Sequence, residues 1–363
     1  MKQIYFGCAA VVCLLLPLQS FAAYHFSNFH GTPPIHVYGG TSKSPVGITP
    51  HGIKNLYHLP QTGGHGTIAI IGAYDDASIE ADLNDFSNQF GLPACTTKNN
   101  CFEKHKISKT VKENSGWALE TTLDVEWAHA VAPSAKILLV EATTPSGSNL
   151  LKAVDYAAGR SDVVAISMSW GGGEFPEETS LDTHFMSKSG AVFFASSGDN
   201  GTGASWPASS PNVIGVGGTT LTLNANGSLK KETAWSGSGG GVSTYEKEPA
   251  YQSDYDIPKN KGMRAIPDVA YNADPQSGFP IIRKGLWRTV GGTSAGTPQW
   301  AGIAALGQGV SNHSFYLDKA GQNHAAYFRD IVSGTNGDCG YYCDARKHYD
   351  YVTGLGSPLT SVF

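Results

Sequence analysis

Residues 135–169 read AKILLVEATTPSGSNLLKAVDYAAGRSDVVAISMS. A short apolar run, Ala135 to Glu141, is followed after a polar turn by Leu150 to Ala158, with apolar residues at helical spacing. A second apolar run, Val163 to Ser169, follows. Runs of this length without polar alternation belong to strands buried on both faces, and a helix between two of them is the crossover of a parallel sheet. The same order extends outward. Upstream, Thr67 to Gly72 reads as a strand, Ile79 to Leu92 as a helix and Trp117 to Val131 as a longer helix. Downstream, Leu181 to Ser189 reads as a helix, Ala191 to Ser197 as a strand and Val213 to Gly218 as the strand that closes the series. Thr219 to Lys230 alternates instead and carries Asn226-Gly227, a hairpin turn. Ser236 to Ser243 is a Gly/Ser-rich surface loop, and Pro298 to Gly309 a further apolar helix. Strands alternating with helices predict an α/β fold with a mostly parallel central sheet flanked by helices on both faces. No linker divides the series, so a single domain is expected.

The 363 residues are 40% hydrophobic and 15% charged, with a formal net charge of -5. Such a chain can bury one large core. It has no basic block, which argues against nucleic acid as a partner. Residues 1–22 read as a signal peptide: Lys2 is the positive start, Ala9 to Leu18 the apolar stretch, and Ser20-Phe21-Ala22 the small-residue cleavage region. The apolar stretch is too short for a membrane span. A secreted or periplasmic protein is therefore expected, monomeric and not inserted in a membrane once the signal is removed. Residues 23–46 are polar, without a strong period, and read as an extended lead-in; the main domain is expected over residues 47–363. Cys8 and Cys13 leave with the signal. Cys95, Cys101, Cys339 and Cys343 remain, an even number in an oxidising compartment. Local pairs Cys95–Cys101 and Cys339–Cys343 are the simplest disulfide arrangement; a zinc site is the other reading of four cysteines.

Three segments carry chemistry. On the Trp117–Val131 helix, Glu120 and Asp124 lie about 40° apart. They share a face with Trp117, Leu123, Trp127 and Val131, while Thr122, Glu126 and His129 form the opposite, polar face. Two carboxyls on a buried face must raise the pKa of at least one of them, which makes a group able to hold and pass a proton. An acidic pair at a wet helix edge, or partners of a buried cation, accounts for the segment equally well. Val290-Gly-Gly-Thr-Ser-Ala-Gly-Thr-Pro298 places Ser294 at a glycine-rich entry to a helix, near free N–H groups able to stabilise an oxyanion, with Pro298 suited to the first helical turn. A simple helix cap at Thr293 or Ser294 is the alternative. Ser197-Gly198-Asp199 ends a buried strand, where parallel sheets gather ligand-binding groups. Asp199 donates a hydrogen bond to an oxyanion only when protonated, as in acid.

Together these pieces resemble the sedolisins, the serine-carboxyl peptidases of the subtilisin-like clan. The resemblance runs from Gly47-Ile-Thr-Pro-His-Gly-Ile-Lys-Asn-Leu-Tyr-His-Leu-Pro60 through Glu120-xxx-Asp124, Ser169-Trp170-Gly171, Ser197-Gly198-Asp199 and Gly292-Thr293-Ser294-xxx-Pro298 to Asp350-Tyr-Val-Thr-Gly-Leu-Gly356. It implies a subtilisin-like fold and an exported endopeptidase that hydrolyses proteins or peptides at acidic pH. Ser294 is then the nucleophile, Glu120 its general base, Asp124 the group that shares the proton of Glu120, and Asp199 the oxyanion donor. Trp170 is expected to reach Asp75 or Asp76. The resemblance also implies one Ca2+ ion within residues 328–356, held by Asp330, Ile331, Arg346, His348 and Asp350, with Arg346 and His348 standing where the family commonly has glycines. The long N-terminal prosegment usual in the family has no counterpart between the signal and Gly47. A subtilisin with a catalytic His would need His65-Gly66-Thr67 to open a helix; it runs instead into the Ile68–Ile71 strand. An α/β-hydrolase could use Gly292-x-Ser294-x-Gly296 but would need a later His. A non-catalytic binding protein on a protease scaffold is the remaining alternative.

Overall fold

The computed structural model describes Met1, residues 25–307 and residues 309–360. Apart from Met1, the expected signal peptide, residues 1–22, lies outside the described residues. The elements that build the site are, in chain order, strands β1 (His36–Ser42), β2 (Thr67–Ala73), β3 (Phe102–Lys106), β4 (Lys136–Ala142), β5 (Val163–Met168), β6 (Val192–Ser196), β7 (Val213–Leu223), β8 (Leu229–Ala234), β9 (Val269–Asn272), β10 (Phe279–Arg283) and β11 (Leu286–Gly291). The helices are α1 (Ile79–Phe90), α2 (Ser115–Val131), α3 (Gly147–Ala158) and α4 (Thr293–Leu306).

The central sheet has eight strands, in the order β8-β7-β6-β5-β2-β4-β3, with β9 added beside β7. All its pairs are parallel except β7 with β8, the hairpin that Asn226-Gly227 turns. β4 and β5 lie on opposite sides of β2, so the chain reverses direction across the sheet there and opens a crevice at the strands' carboxyl ends. The uninterrupted apolar runs have a simple cause. Ile68 and Ile70 of β2 enter a core with Leu123, Trp127 and Ala301 from α2 and α4. Ala69 and Ile71 enter a second core with Leu150 and Val154 of α3. Both sheet faces are covered, and each fully buried aliphatic side chain contributes roughly 1.5–3 kcal/mol.

Several local expectations change in the fold. α2 has no wet face: Thr122, Glu126 and His129 are as buried as Glu120 and Asp124. Neighbouring backbone satisfies the outer pair, since Glu126 accepts the Ile282 N–H and His129 donates to the Pro93 carbonyl. Residues 178–185 form a short 3-10 turn in place of the helix expected at Leu181 to Ser189. α4 begins at Thr293, so Pro298 falls in its interior. β1 pairs with β11 in a three-stranded antiparallel sheet with β10, so the lead-in is extended but docked. Both local disulfides, Cys95–Cys101 and Cys339–Cys343, are formed, which removes the zinc reading. Among the described residues no helix is long and apolar enough to cross a membrane.

α2 and α4 pack on each other at Gly302. A Cβ at Gly302 would lie 2.8 Å from the Val131 Cβ, an atom too close to its own backbone to swing aside. Gly302→Ala is expected to push the two helices apart and destabilise the fold by about 1–3 kcal/mol, as overpacking does. Urea denaturation of the variant and the parent chain measures the difference.

Candidate active site

Two helices and two strand ends converge on one point. α2 starts at Asn114, whose side chain accepts the Gly116 and Trp117 N–H groups. One turn further in, it delivers Glu120 and Asp124, 1% and 2% exposed. α4 delivers Ser294 in its first turn. β5 runs out into Ser169, and β6 into Ser197-Gly198-Asp199.

The Ser169 hydroxyl donates to Asp124 Oδ1 at 2.6 Å. It also faces the Ser294 carbonyl at 3.4 Å. Pro298 explains why that carbonyl is available: four residues further along α4 it has no N–H to donate back. Burial pushes both carboxyls of the pair well above the ordinary range. For Glu120 the charge of Asp124 adds to burial, and the nearby Ser294 hydroxyl opposes it. For Asp124, hydrogen bonds from Ser169 and from Glu120 oppose burial. Burial and mutual repulsion therefore oppose two charges on the pair. Neither Glu120 oxygen completes a well-formed hydrogen bond, although Ser294 is near enough to favour its charged form. The Ser294 hydroxyl donates elsewhere, to the Pro34 carbonyl at 2.7 Å.

Asp199 Oδ1 accepts the Thr293 N–H at 2.8 Å and the Thr293 hydroxyl at 2.7 Å, which ties it to the start of α4. Its Oδ2 stands 3.0 Å from His36 Nε2. Burial raises the Asp199 pKa, with His36 and Thr293 opposing. The structure thus brings Glu120, Asp124, Asp199 and Ser294 to one crevice. It also adds four residues that sequence reasoning did not assign: Ser169, Thr293, Pro34 and His36. Ser169 and Thr293 lay inside recognised motifs, but Pro34 and His36 sit in a stretch with no periodic signal. Trp170 is a correction: its indole N–H donates to the Ile71 carbonyl, 3.0 Å away, and not to Asp75 or Asp76. Asp75 is held by Lys104 and Lys106 instead. His65 is exposed at the amino end of β2, the end of the strand away from the crevice, and takes no part.

In the C-terminal region, Asp330 accepts the His348 N–H on both oxygens, and Asp350 accepts the N–H groups of Arg346, Val352 and Thr353. These amides bring the two carboxylates to one loop. The carbonyls of Ile331, Arg346 and His348 accept no hydrogen bond among the described residues. Free carbonyls beside two carboxylates fit an oxygen-ligated cation such as Ca2+. His348 holds the required backbone with φ 68°, so a side chain is tolerated where the family commonly has glycine.

Residues 110–321 match the family described as the subtilase family. Sedolisin of Pseudomonas sp. (strain 101) is 28% identical over 88% of this chain and 60% of its own length. Kumamolisin of Bacillus sp. (strain MN-32) is 31% identical over 88% of this chain and 63% of its own. The chain thus spans about three fifths of the length of these curated relatives. A solved structure of Pseudomonas sedolisin, a serine-carboxyl proteinase complexed with two molecules of pseudo-iodotyrostatin, superposes with a TM-score of 0.75. It shares 27% identity and covers 87% of this chain and 96% of that one. This chain belongs to the subtilase family, on its sedolisin branch, and has the subtilisin-like α/β fold.

Proposed function

We propose that this chain is an exported serine-carboxyl endopeptidase that hydrolyses peptide bonds in acid. The observation that carries the reading is the buried Glu120–Asp124 pair beside the Ser294 hydroxyl. A pair that holds one proton can move it onto Asp124 and leave Glu120 to take the proton of Ser294 as its oxygen attacks the substrate carbonyl. Protonated Asp199 and the Ser294 N–H then stabilise the oxyanion, and Glu120 returns the proton to the leaving nitrogen. An imidazole would be charged and useless as a base in the acid range where this pair works. Endopeptidase action is proposed because, among the described residues, the wall that Thr32 lines continues to Pro145 and Ser146, which bond Gly31 and His30. Export rests on residues 1–22 and the two disulfides. Asp330, Ile331, Arg346, His348 and Asp350 are proposed to hold one Ca2+, which would tie the 330 and 350 loops together and take no part in the reaction.

Ser294→Ala is expected to abolish digestion of a denatured protein at about pH 4 while the fold is retained, and Asp199→Ala to lower kcat by roughly 10²–10³. Undiminished cleavage by the Ser294→Ala chain rules the assignment out.

Asp199 serves only while protonated, so activity should fall as pH rises through its elevated pKa. Asp199→Asn donates at every pH and should move that alkaline limb upward; a pH–rate profile with the limb unmoved counts against Asp199 as oxyanion donor.

Restoring Ca2+ to chelator-treated chain should raise Tm, and Asp330→Asn should remove the response. A parent chain whose melting ignores Ca2+ excludes the site.

A further inference from the structure

Beside the loop proposed for Ca2+ stand two imidazoles that an oxygen-ligated cation does not use. One ring nitrogen of His324, one of His348 and one carboxylate oxygen of Asp330 lie within 4.8 Å of one another. The three come from separate stretches of chain. His324 lies on the short helix Gly321–Tyr327. That helix runs straight into Phe328 and Arg329, which pair with Pro358 and Ser357. The pairing fixes the end of the helix and carries the chain on to Asp330. His348 arrives from the loop that closes at Asp350, and its N–H donates to both Asp330 oxygens at 3.0 Å. This backbone contact sets the His348 ring beside the His324 ring, with centroids 5.8 Å apart and planes at 83°.

The ligand atoms are available. Among the described residues, Nε2 of His324 is buried and has no hydrogen-bond partner, which is unfavourable for a polar atom unless something fills the place. The His324 ring also hydrogen-bonds the Leu355 backbone, the kind of outer contact that orients a ligating imidazole. His348 is exposed, and its ring packs on His324. Arg346, the neighbouring cation, pairs with Asp344 and leaves Asp330 alone. Ca2+ takes oxygen ligands, whereas imidazole nitrogen suits zinc, copper and nickel. Tetrahedral Zn2+ bonds nitrogen at about 2.0–2.1 Å, which sets ligand atoms roughly 3.4 Å apart. A small swing of the exposed His348 side chain closes the difference. We propose that His324, Asp330 and His348 form a site for a transition metal of the Zn2+ class. Asp330 is common to this site and the proposed Ca2+ loop, but here His348 contributes its ring and not its carbonyl. Three protein ligands leave a fourth position for water. The ion pins the helix Gly321–Tyr327 to the 348 loop. The inference rests neither on the peptidase reading nor on Ca2+ binding.

The full chain carrying Ser294→Ala, chosen so that self-digestion cannot disturb the measurement, is titrated with Zn2+ by calorimetry at about pH 7.5, where imidazole is neutral. It should bind one Zn2+ through this site, and Zn2+ should raise its Tm. Adding His324→Ala or His348→Gly should weaken that binding roughly 100-fold, since loss of even an outer partner of a metal ligand costs about 10–100-fold. His348→Gly is the sharper variant. It removes the ring but keeps the carbonyl and the N–H to Asp330, and glycine suits the φ of 68° at this position, so the loop keeps its shape. If the His324→Ala chain fails to fold, His348→Gly decides alone. Zn2+ affinity unchanged in His348→Gly places the ion on oxygen ligands and overturns the inference. A Ser294→Ala chain with no saturable Zn2+ binding overturns it as well.

Discussion

Two carboxyl groups one helical turn apart and shut off from water cannot both carry a charge. Desolvation opposes the first charge, and the first opposes the second. Burial raises the pKa of both Glu120 and Asp124, and the Ser169 hydroxyl favours charge on the Asp124 side. Burial likewise favours the neutral form of Asp199, which agrees with the proposed action in acid. The arrangement suits only a site from which water is excluded, because solvated carboxyls would revert to ordinary behaviour.

Exclusion of water is what the surrounding fold supplies. From Glu120 onward α2 is buried on every side, a position normally reserved for apolar helices, so Asp124, Glu126 and His129 depend on partners fixed elsewhere in the chain. Gly302 lets α4 close onto α2, and this sets the spacing between the acid pair and Ser294. Pro298 frees the Ser294 carbonyl for Ser169, the same hydroxyl that steadies Asp124, so Ser294 and Asp124 are joined through one side chain. Asp199 is fixed in turn by both donors of Thr293, at the head of the helix that carries Ser294.

The segment from Phe29 to Tyr38 closes the last face. It contributes a buried aromatic anchor, a strand to a side sheet and the partners of Ser294 and Asp199. One stretch thus serves the core through Phe29 and covers Ser294 through Pro34.

Much of this was legible in the residues alone. Apolar runs such as Ile68–Ile71 and Val163–Met168 can only be strands covered on both faces, and helical spacing alone puts Glu120 beside Asp124. Gly292-Thr-Ser-Ala-Gly-Thr-Pro298 singles out Ser294, and the local cysteine spacings make the two short disulfides the simplest pairing, which the structure forms. These are short-range properties, governed by backbone geometry over a few residues. Long-range packing decided the rest. Glu126 and His129 look solvated in a helical projection, but a projection cannot show that strands and loops cover the outer side. The partner of Trp170, the entry of Pro298 into the interior of α4, and the 3-10 turn at Glu178–Phe185 all follow from neighbours far away in sequence. The same holds for Pro34 and His36. Nothing periodic distinguishes them, and their place over Ser294 and Asp199 is fixed only by strand pairing with Gly171 and β11, more than a hundred residues downstream.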